Sequence, residues 1–267
     1  MPIPIESLSP TALKKARMFD ARALSDPTAR GGKVIIYERP RSGIDYGMGG
    51  DWAYGIKGRD RDAFCVFGKF PDRSERGYQI RQVCQAWGWW GERVHRVVYA
   101  MLRCYNGALL CGERQVGLPT MRKLVDEYQY KRVYFDRKLA RAGKPKTDVL
   151  GVARTKVADV ILNAFRTAIA EDSVVLRSAE LVAEMDKMQW VERGAAKPDR
   201  RLSDDNLVIQ VLSGESPDLC MAAMYGYHAA RCLHLFEPDE PPESDELPED
   251  MRRVRKPKEV SFARPKR

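Results

Sequence analysis

The sequence predicts an α/β fold in which a mixed β-sheet is covered by helices. Three strand-like segments follow one another between residues 33 and 70, and only short stretches rich in Gly, Pro and Asp separate them, which suggests an antiparallel meander. From residue 93 onwards, helical segments alternate with short apolar strands. This alternation is typical of a sheet that carries helices on its faces.

The N-terminal part begins with a predicted helix over 9–24, because Ser9 and Pro10 stand at positions favoured for an N-cap and a first turn. A loop follows it. The segment 79–90 has few β-branched residues and fits either a further strand or a helix. The three meander strands are 33–38, a stretch that ends near Asp51, and 63–70.

The alternating part is defined by its helical periodicity. The clearest helix is 155–171, which gathers Val157, Val160, Ile161, Ala164 and Ala168 on one face. The other predicted helices are 93–105, 118–128 (begun by Pro119), 178–189 and 216–233. The predicted strands are 108–113, 132–136, 174–177 and 206–211, and the polar stretch 193–206 is predicted to be a loop.

The positive charge of the chain resides in its body. Lys and Arg number 46 against 37 Asp and Glu, a net charge of +9. The stretch 237–250 holds eight acids and no base, and 251–267 holds eight bases and one acid, so residues 1–236 carry a net charge near +10. A basic body indicates an anionic partner such as nucleic acid. The Pro-rich tail is predicted to be mobile, or ordered only by a partner.

Cysteine and histidine do not indicate a zinc site or a disulfide framework. None of the six cysteines stands in a C-x-x-C pair, and the three histidines lack zinc-finger spacing. The N-terminus has no basic segment followed by an apolar run, and no window reaches the roughly 18 apolar residues of a membrane span. We therefore expect buried thiols in a reducing compartment, a cytoplasmic location and no membrane contact.

Three acidic residues stand at the ends of predicted elements. Asp51 ends a strand rich in small residues, Glu113 ends the apolar strand LLCGE, and Asp218 begins the helix SPDLCMAAM. Each has an ordinary structural interpretation: a turn for Asp51, a solvent-facing strand end for Glu113, and a first-turn acid that complements the helix dipole for Asp218. Acids far apart in sequence but placed at the same kind of position can also converge in space.

Convergent carboxylates would suit phosphodiester cleavage by two metal ions. Two Mg²⁺ or Mn²⁺ ions about 3.5–4 Å apart activate a water and stabilise the leaving oxygen, and both ions prefer oxygen ligands. Three carboxylates and one scissile phosphate would neutralise the two ions. The glycines before Asp51 are expected to leave room for metal and phosphate close to the backbone.

Three segments of the chain carry a family resemblance. Residues 36–69 have a strand of the form Y-x-x-G-x-D followed by a later Asp before a return strand, residues 105–128 have a strand that ends in an acid and runs into a helix, and residues 216–230 have an acid that opens a helix rich in small residues. Their order and spacing resemble the nuclease domain of the large terminase subunit of tailed bacteriophages, over about residues 33–235.

This resemblance implies an RNase H-like fold, with a mixed β-sheet, an antiparallel meander and helices on both faces. It also implies that Asp51, Glu113 and Asp218 are catalytic ligands of two Mg²⁺ or Mn²⁺ ions. Asp62 would be an accessory ligand, in competition with Asp60, unless both are simple turn residues.

The surroundings of these motifs add basic residues and one departure from the family. Lys57, Arg59 and Lys69 flank the first motif, where they would contact DNA phosphates or remain solvated loop charges. The third motif often has two adjacent acids, whereas here Pro217 takes the first place.

The implied activity is endonucleolytic cutting of concatemeric viral DNA during genome packaging. A large terminase also carries an ATPase with the loop G-x-x-x-x-G-K-[ST]. The nearest match, residues 50–57, has Ile56 between its second Gly and its Lys, and it lies inside the predicted hairpin. We therefore expect DNA cleavage without ATP hydrolysis, the packaging ATPase being a separate chain or a removed part.

The implied partners are double-stranded DNA, this ATPase, the portal and the small terminase subunit. The implied location is the host cell cytoplasm and, transiently, the portal of the viral procapsid. The predicted organisation is an N-terminal helix and linker (1–32), a nuclease domain (33–235) and an acidic then basic tail (236–267). Two other functions fit the same residues: a Holliday-junction resolvase or transposase-like nuclease of this fold, and a non-catalytic module that binds DNA or docks on a portal.

Overall fold

The computed structural model has an eight-stranded mixed sheet with helices on both faces, as the sequence predicts. It describes residues 3–4, 8–15, 18–22, 31–53, 61–72, 77–135, 150–153, 157–192, 207–211 and 217–233. Among these residues, no helix is long and apolar enough to cross a membrane.

The strands, in chain order, are β1 (Ile3–Pro4), β2 (Met18–Arg22), β3 (Gly31–Ile36), β4 (Asp45–Asp51), β5 (Asp62–Pro71), β6 (Tyr78–Trp89), β7 (Leu109–Gly112), β8 (Val174–Val175), β9 (Met188–Glu192) and β10 (Leu207–Val211). The sheet has the order β1-β2-β3-β6-β5-β4-β7, and β8 pairs with β6. Strands β9 and β10 form a separate antiparallel ribbon.

The helices are α1 (Pro10–Lys15), α2 (Val94–Cys104), α3 (Arg114–Asp126), α4 (Asn163–Ala170), α5 (Ala179–Asp186) and α6 (Asp218–Cys232). A short 3-10 helix, Gly91–Arg93, precedes α2, and a π-helix, Val157–Leu162, precedes α4.

The antiparallel meander is made by β4, β5 and β6. The prediction that 33–38 is its first strand is wrong, because β3 pairs with the outer edge of β6. The ambiguous segment 79–90 is a strand and not a helix. Strand β6 bulges at Val83, whose carbonyl accepts hydrogen bonds from the backbone N–H groups of Tyr37 and Glu38 at 2.8 and 3.0 Å, so the chain that leaves β3 stays on this edge.

Two apolar cores lie on opposite sides of the sheet. The core that we call the α2 face joins α1, α2 and α3 to alternate residues of β5 such as Phe64 and Val66. The core that we call the α6 face joins α4, α5 and α6 to the intervening residues Ala63, Cys65 and Phe67. This alternation is the two-residue period expected of a strand covered on both sides.

Helix boundaries differ from the predictions at three places. The predicted helix 9–24 ends at Lys15, because Met18–Arg22 pairs with β3 and continues the sheet. The helix predicted over 118–128 is α3, which begins earlier, at Arg114, so that only Glu113 separates it from β7 and Pro119 lies inside it. The helix predicted over 155–171 begins as a π-helix, whose wider turn shifts the buried face, so Val160 is 55% exposed whereas Ile161 and Ala168 are buried.

One strand prediction and the C-terminal end of a further predicted helix also differ from the structure. The stretch 132–136 makes only isolated bridges in the described residues, from Val133 to Leu110 and from Phe135 to Leu150. The end of the predicted helix 178–189 belongs to β9, which pairs with β10. The predicted loop 193–206 lies wholly outside the described residues.

Candidate functional site

Asp51 and Glu113 leave the sheet side by side. Strands β4 and β7 run parallel, and their last paired residues are Gly50 and Gly112, so the next residues in register are Asp51 and Glu113. The carboxyl ends of neighbouring parallel strands meet at one edge of a sheet, where ligands of α/β proteins commonly bind. The structure therefore brings together the first two acids that the sequence singles out.

Both acids belong to the α6 face. Asp51 is paired with Ala63, a residue of the α6-face core. Glu113 follows Leu109 and Cys111 at two-residue intervals, and these two side chains also lie in that core. Residues that share this period share a side of the sheet.

The N-terminus of α6 approaches the same end of β4. A Cβ atom on Gly47 would lie 2.2 Å from the backbone nitrogen of Ala230, and one on Gly49 would lie 2.1 Å from the backbone nitrogen of Gly226. Two residues of strand advance about 6.6 Å and four residues of helix about 6 Å. Each step of two residues along β4 thus matches a step of about four residues back along α6. Asp51 is the next step after Gly49, and it lies towards the first turn of α6, which begins at Asp218.

The glycines of the first two motifs allow close packing of their strands against α6 and Trp52. The expectation that the glycines before Asp51 leave room for metal and phosphate is wrong, since α6 fills the space beside Gly47 and Gly49. The ring of the buried Trp52 occupies the space beside the other glycines: a Cβ atom on Gly50 or Gly112 would lie 2.7 or 2.1 Å from it. These glycines let two strands, a helix and an indole meet behind the acids.

Asp218 is buried and is engaged by Arg61. The backbone N–H of Arg61 donates to Asp218 Oδ2 at 3.2 Å, and its guanidinium Nε lies 3.6 Å from the same oxygen. The guanidinium Nη2 also pairs with Glu184 Oε1. Only 5% of the Asp218 side chain and 12% of the Glu184 side chain are exposed, so this ion-pair network is largely shielded from water.

Glu184 adds a fourth acid to the region. Its Oε2 accepts hydrogen bonds from the backbone N–H groups of Leu219 and Cys220, at 2.9 and 3.2 Å. Burial raises the pKa of the Glu184 carboxyl, and Arg61 opposes this rise. Neither Glu184 nor Arg61 stands at a position that marks it in the sequence.

Glu113 carries a buried oxygen that lacks a partner. Glu113 is the N-cap residue of α3, but its side chain makes no capping hydrogen bond. Its Oε1 is buried and has no hydrogen-bond partner among the residues that the structure describes. A buried carboxylate oxygen without a donor is costly, and a hard divalent cation is a suitable partner for it. The donor chemistry at this edge therefore fits Mg²⁺ or Mn²⁺.

The acids are not gathered around a single point. Within the described ranges, no group of three or more His, Cys, Asp or Glu side chains is arranged to hold a metal ion. The backbone thus brings Asp51, Glu113 and Asp218 to one end and one face of the sheet, while the side chain of Asp218 is held by Arg61.

Asp62 turns to the other side of the sheet. It alternates with Ala63 and shares its period with Phe64, a residue of the α2-face core. Its oxygens accept hydrogen bonds from the backbone N–H groups of Ala53 and Trp90, at 3.1 and 3.4 Å. Burial raises the pKa of Asp62 to about 7, and Asp218 contributes to the rise in spite of these hydrogen bonds. This position favours a structural role over that of an accessory ligand.

The predicted DNA contacts are only partly described. Lys57, Arg59 and the alternative acid Asp60 lie outside the described residues. In the register of β4 and β5, Lys69 lies opposite Asp45, at the other end of the hairpin from Asp51 and Ala63. Six residues of strand, about 20 Å, separate Lys69 from Ala63, and the Lys69 ammonium lies 4.1 Å from the centre of the Tyr78 ring. The structure does not bring Lys69 to the acids.

The comparisons with known proteins find similarity in structure and none in sequence. No protein-family model and no curated protein sequence matches the chain. Among solved structures, the chain is similar to the large terminase nuclease from the thermophilic phage G20c, with 13% sequence identity and a TM-score of 0.49. The matched region covers 73% of this chain and 87% of that chain.

Proposed function

We propose that this chain is a metal-dependent DNA endonuclease of the two-metal type, with Asp51, Glu113 and Asp218 as the ligands of two Mg²⁺ or Mn²⁺ ions. The observation that carries the proposal is the register of β4 and β7, which places Asp51 and Glu113 side by side at the end of the sheet towards which the first turn of α6 points. The buried oxygen of Glu113 without a donor supports it.

The residues have separable roles. When bound, the two ions would activate the attacking water and stabilise the leaving oxygen of a phosphodiester. Asp51 and Glu113 supply oxygens from rigid strand ends, and Asp218 supplies a third from a helix packed on those strands. Trp52 fills the space behind them and keeps water away from that side. The basic body attracts the anionic DNA backbone.

The biological role follows from the resemblance of the three motifs. We propose that the substrate is concatemeric double-stranded viral DNA, cut during genome packaging in the host cell cytoplasm, at the portal of the procapsid. The packaging ATPase would be a separate chain or a removed part, and the portal and the small terminase subunit would be partners.

A non-catalytic DNA-binding module is the second candidate, and one observation favours it. Arg61 occupies one side of Asp218, and the described residues contain no ready three-ligand metal site. If this arrangement persists in the presence of Mn²⁺, the basic body would bind DNA without cutting it. Binding of DNA that depends on salt is common to both candidates, so only cleavage separates them.

The decisive experiment measures nicking of a supercoiled plasmid by the full chain with Mn²⁺ or Mg²⁺, and with EDTA. Loss of an outer-shell partner costs roughly 10- to 100-fold in activity, so we expect Asp51→Asn, which removes a ligand, to cost more than that. The matched control is Asp45→Asn, at the exposed opposite end of the same strand. It should cut like wild type.

Two results would overturn the enzyme proposal. One is the absence of metal-dependent nicking by the purified wild-type chain, which would leave the DNA-binding module. The other is nicking by Asp51→Asn at the wild-type rate, which would place the activity elsewhere or in a contaminant. A strong preference for four-way junctions over linear duplex would instead identify a resolvase of the same fold.

A further inference from the structure

Helix α6 is capped by a residue from another helix. Its N-cap residue is Pro217, which makes no side-chain capping hydrogen bond. The first N–H groups of a helix have no partner within the helix itself. Glu184 of α5 satisfies two of them, because its Oε2 accepts from Leu219 and Cys220. A carboxylate at this end also interacts favourably with the helix dipole.

The same carboxylate is joined to Asp218 through Arg61. Glu184 Oε1 pairs with the Arg61 guanidinium, which lies 3.6 Å from Asp218 Oδ2, and the Arg61 backbone N–H donates to that oxygen at 3.2 Å. Asp218 is therefore held twice, by the backbone of its own helical turn and by Arg61. The Glu184 carboxylate takes part in both connections, because one of its oxygens binds the α6 N–H groups and the other binds Arg61.

Glu184 is itself fixed to the sheet. The Ser178 hydroxyl caps α5 by accepting from the Leu181 N–H at 3.0 Å. The fully buried Gln82 of β6 accepts hydrogen bonds from the backbone N–H groups of Arg177 and Ser178 through its Oε1, at 2.8 and 3.1 Å. Hydrogen bonds thus connect β6 to the start of α5, and α5 to the first turn of α6.

We propose that Glu184 is a positioning residue that sets the place of Asp218 relative to the strand ends, through the first turn of α6 and through Arg61. The inference rests on the proposed function, because Asp218 matters as a metal ligand there. Glu184 contacts neither metal nor DNA in this role. It controls how well the third carboxylate meets the other two.

The test compares Glu184→Ala, Glu184→Gln and wild type in the full chain. The Ala variant removes both connections, whereas Gln keeps an oxygen for the α6 N–H groups and loses the charge that holds Arg61. We expect the Kd for Mn²⁺, measured by titration without DNA, to rise about tenfold or more in Glu184→Ala and at least threefold in Glu184→Gln. The matched control is Asp186→Asn, at an exposed position of α5, which should keep the wild-type Kd.

A second readout needs no metal. Hydrogen exchange of the Leu219 and Cys220 amides in EDTA should be at least about tenfold faster in Glu184→Ala than in wild type, and close to wild type in Glu184→Gln. A residue that merely stabilises the fold would lower the Tm but leave the Kd for Mn²⁺ unchanged well below that Tm.

The outcomes separate this inference from the proposed function. Wild-type Mn²⁺ affinity in both Glu184 variants, with the wild type itself binding Mn²⁺, overturns the positioning role and leaves the nuclease proposal intact. If Glu184→Ala does not fold, Glu184→Gln decides alone, and an unchanged Kd overturns the role. A wild-type chain that binds no Mn²⁺ and cuts no DNA overturns the proposed function itself.

Discussion

Gly49 of β4 and Gly226 of α6 meet backbone to backbone. A Cβ atom on Gly49 would lie 2.1 Å from the Gly226 nitrogen, and a Cβ atom on Gly226 would lie 3.0 Å from the Gly49 nitrogen and 2.6 Å from the Cys65 carbonyl oxygen. No side chain can rotate away to relieve contacts of this kind, because the atoms involved belong to the backbone. This contact sets the distance between the helix that carries Asp218 and the strand that carries Asp51.

The first prediction is that Gly49→Ala strongly destabilises the protein. Overpacking costs 1–3 kcal/mol in an ordinary core, and here the helix would have to move as a whole, so we expect a loss of about 3 kcal/mol or more in the free energy of unfolding. Urea denaturation followed by circular dichroism measures this loss.

A matched control for Gly49→Ala is Gly43→Ala. Gly43 has φ +75°, but an added Cβ atom would meet nothing within 4 Å. Its substitution should therefore cost only the left-handed backbone strain of about 1–2 kcal/mol. Equal losses in the two variants would show that close approach of α6 is not what Gly49 provides.

The second prediction concerns Glu113→Gln, which should remove cleavage without weakening the fold. Its buried Oε1 has no donor among the described residues, and Asp51 lies beside it in register. Neutralising one of two adjacent acids relieves repulsion, so we expect the free energy of unfolding in EDTA to stay constant or to rise by up to about 1 kcal/mol. Plasmid nicking with Mn²⁺ should fall more than about 100-fold.

The control for Glu113→Gln lies at the far end of the same helix. Glu127 is 62% exposed and lies 3.6 Å from Lys123, so Glu127→Gln should cost at most about 0.5 kcal/mol and leave nicking unchanged. Nicking by Glu113→Gln within a few-fold of wild type would contradict the assignment of Glu113. A stability loss above about 2 kcal/mol would show that Glu113 has a structural partner.

The sequence allowed the placement of the three acids to be predicted better than that of their neighbours. Asp51, Glu113 and Asp218 could be predicted to lie at one end of the sheet because each ends or begins an element, and the order of these elements determines which ends meet. Arg61 and Glu184 could not, because they reach Asp218 and α6 across 157 and 35 positions of sequence, and neither stands at a distinctive position in its own segment.

The fold shows the same limit. Local periodicity was enough for α2, α6 and β5, since each has a regular apolar pattern, whereas it left β6 open between strand and helix. It was not enough for 9–24, where pairing with β3 overrides a good helix beginning after Lys15. It also could not choose the partner of β3, because edge pairing depends on which strand offers a free edge of sufficient length.

The third prediction is that Lys69 takes no part in cleavage. The ammonium is engaged over the Tyr78 ring, at the end of β5 remote from the acids. We expect Lys69→Gln to leave the nicking rate within about twofold of wild type and to lower stability by about 0.5–1 kcal/mol, the usual magnitude of an exposed cation–π contact. A plot of log K for DNA against log salt should keep its slope, whereas a decrease of about 0.9 would identify a phosphate contact.

The fourth prediction concerns acid stability and His228 of α6. Burial, assisted by the nearby Arg231, lowers the pKa of His228 from 6.5 to about 4. Its ring packs edge-on against Tyr134 at 5.2 Å, and its Nε2 lies 3.6 Å from Cys232 Sγ. The imidazole is therefore neutral in the folded protein at pH values where it is already protonated in the unfolded chain.

The sign of the effect follows from proton binding. Well above pH 6.5 neither state binds a proton at His228, so the residue adds almost no pH dependence there. Between pH 6.5 and about 4 the unfolded chain binds the proton and the folded protein does not, so stability falls as the pH falls. Replacement by Gln removes the group that titrates. Between pH 7 and pH 5, the free energy of unfolding of the variant should therefore fall by about 1–2 kcal/mol less than that of wild type.

Urea denaturation of wild type and of His228→Gln at pH 7 and pH 5 isolates the contribution of His228 to the pH dependence of stability. The difference between the two pH values cancels the constant cost of altering the packing against Tyr134, and carboxylates that titrate in the same range contribute equally to both proteins. Parallel loss of stability in the two proteins would mean that His228 titrates near its ordinary pKa. An NMR titration of the His228 ring protons gives an independent check, since their shifts should stay constant until the pH approaches about 4.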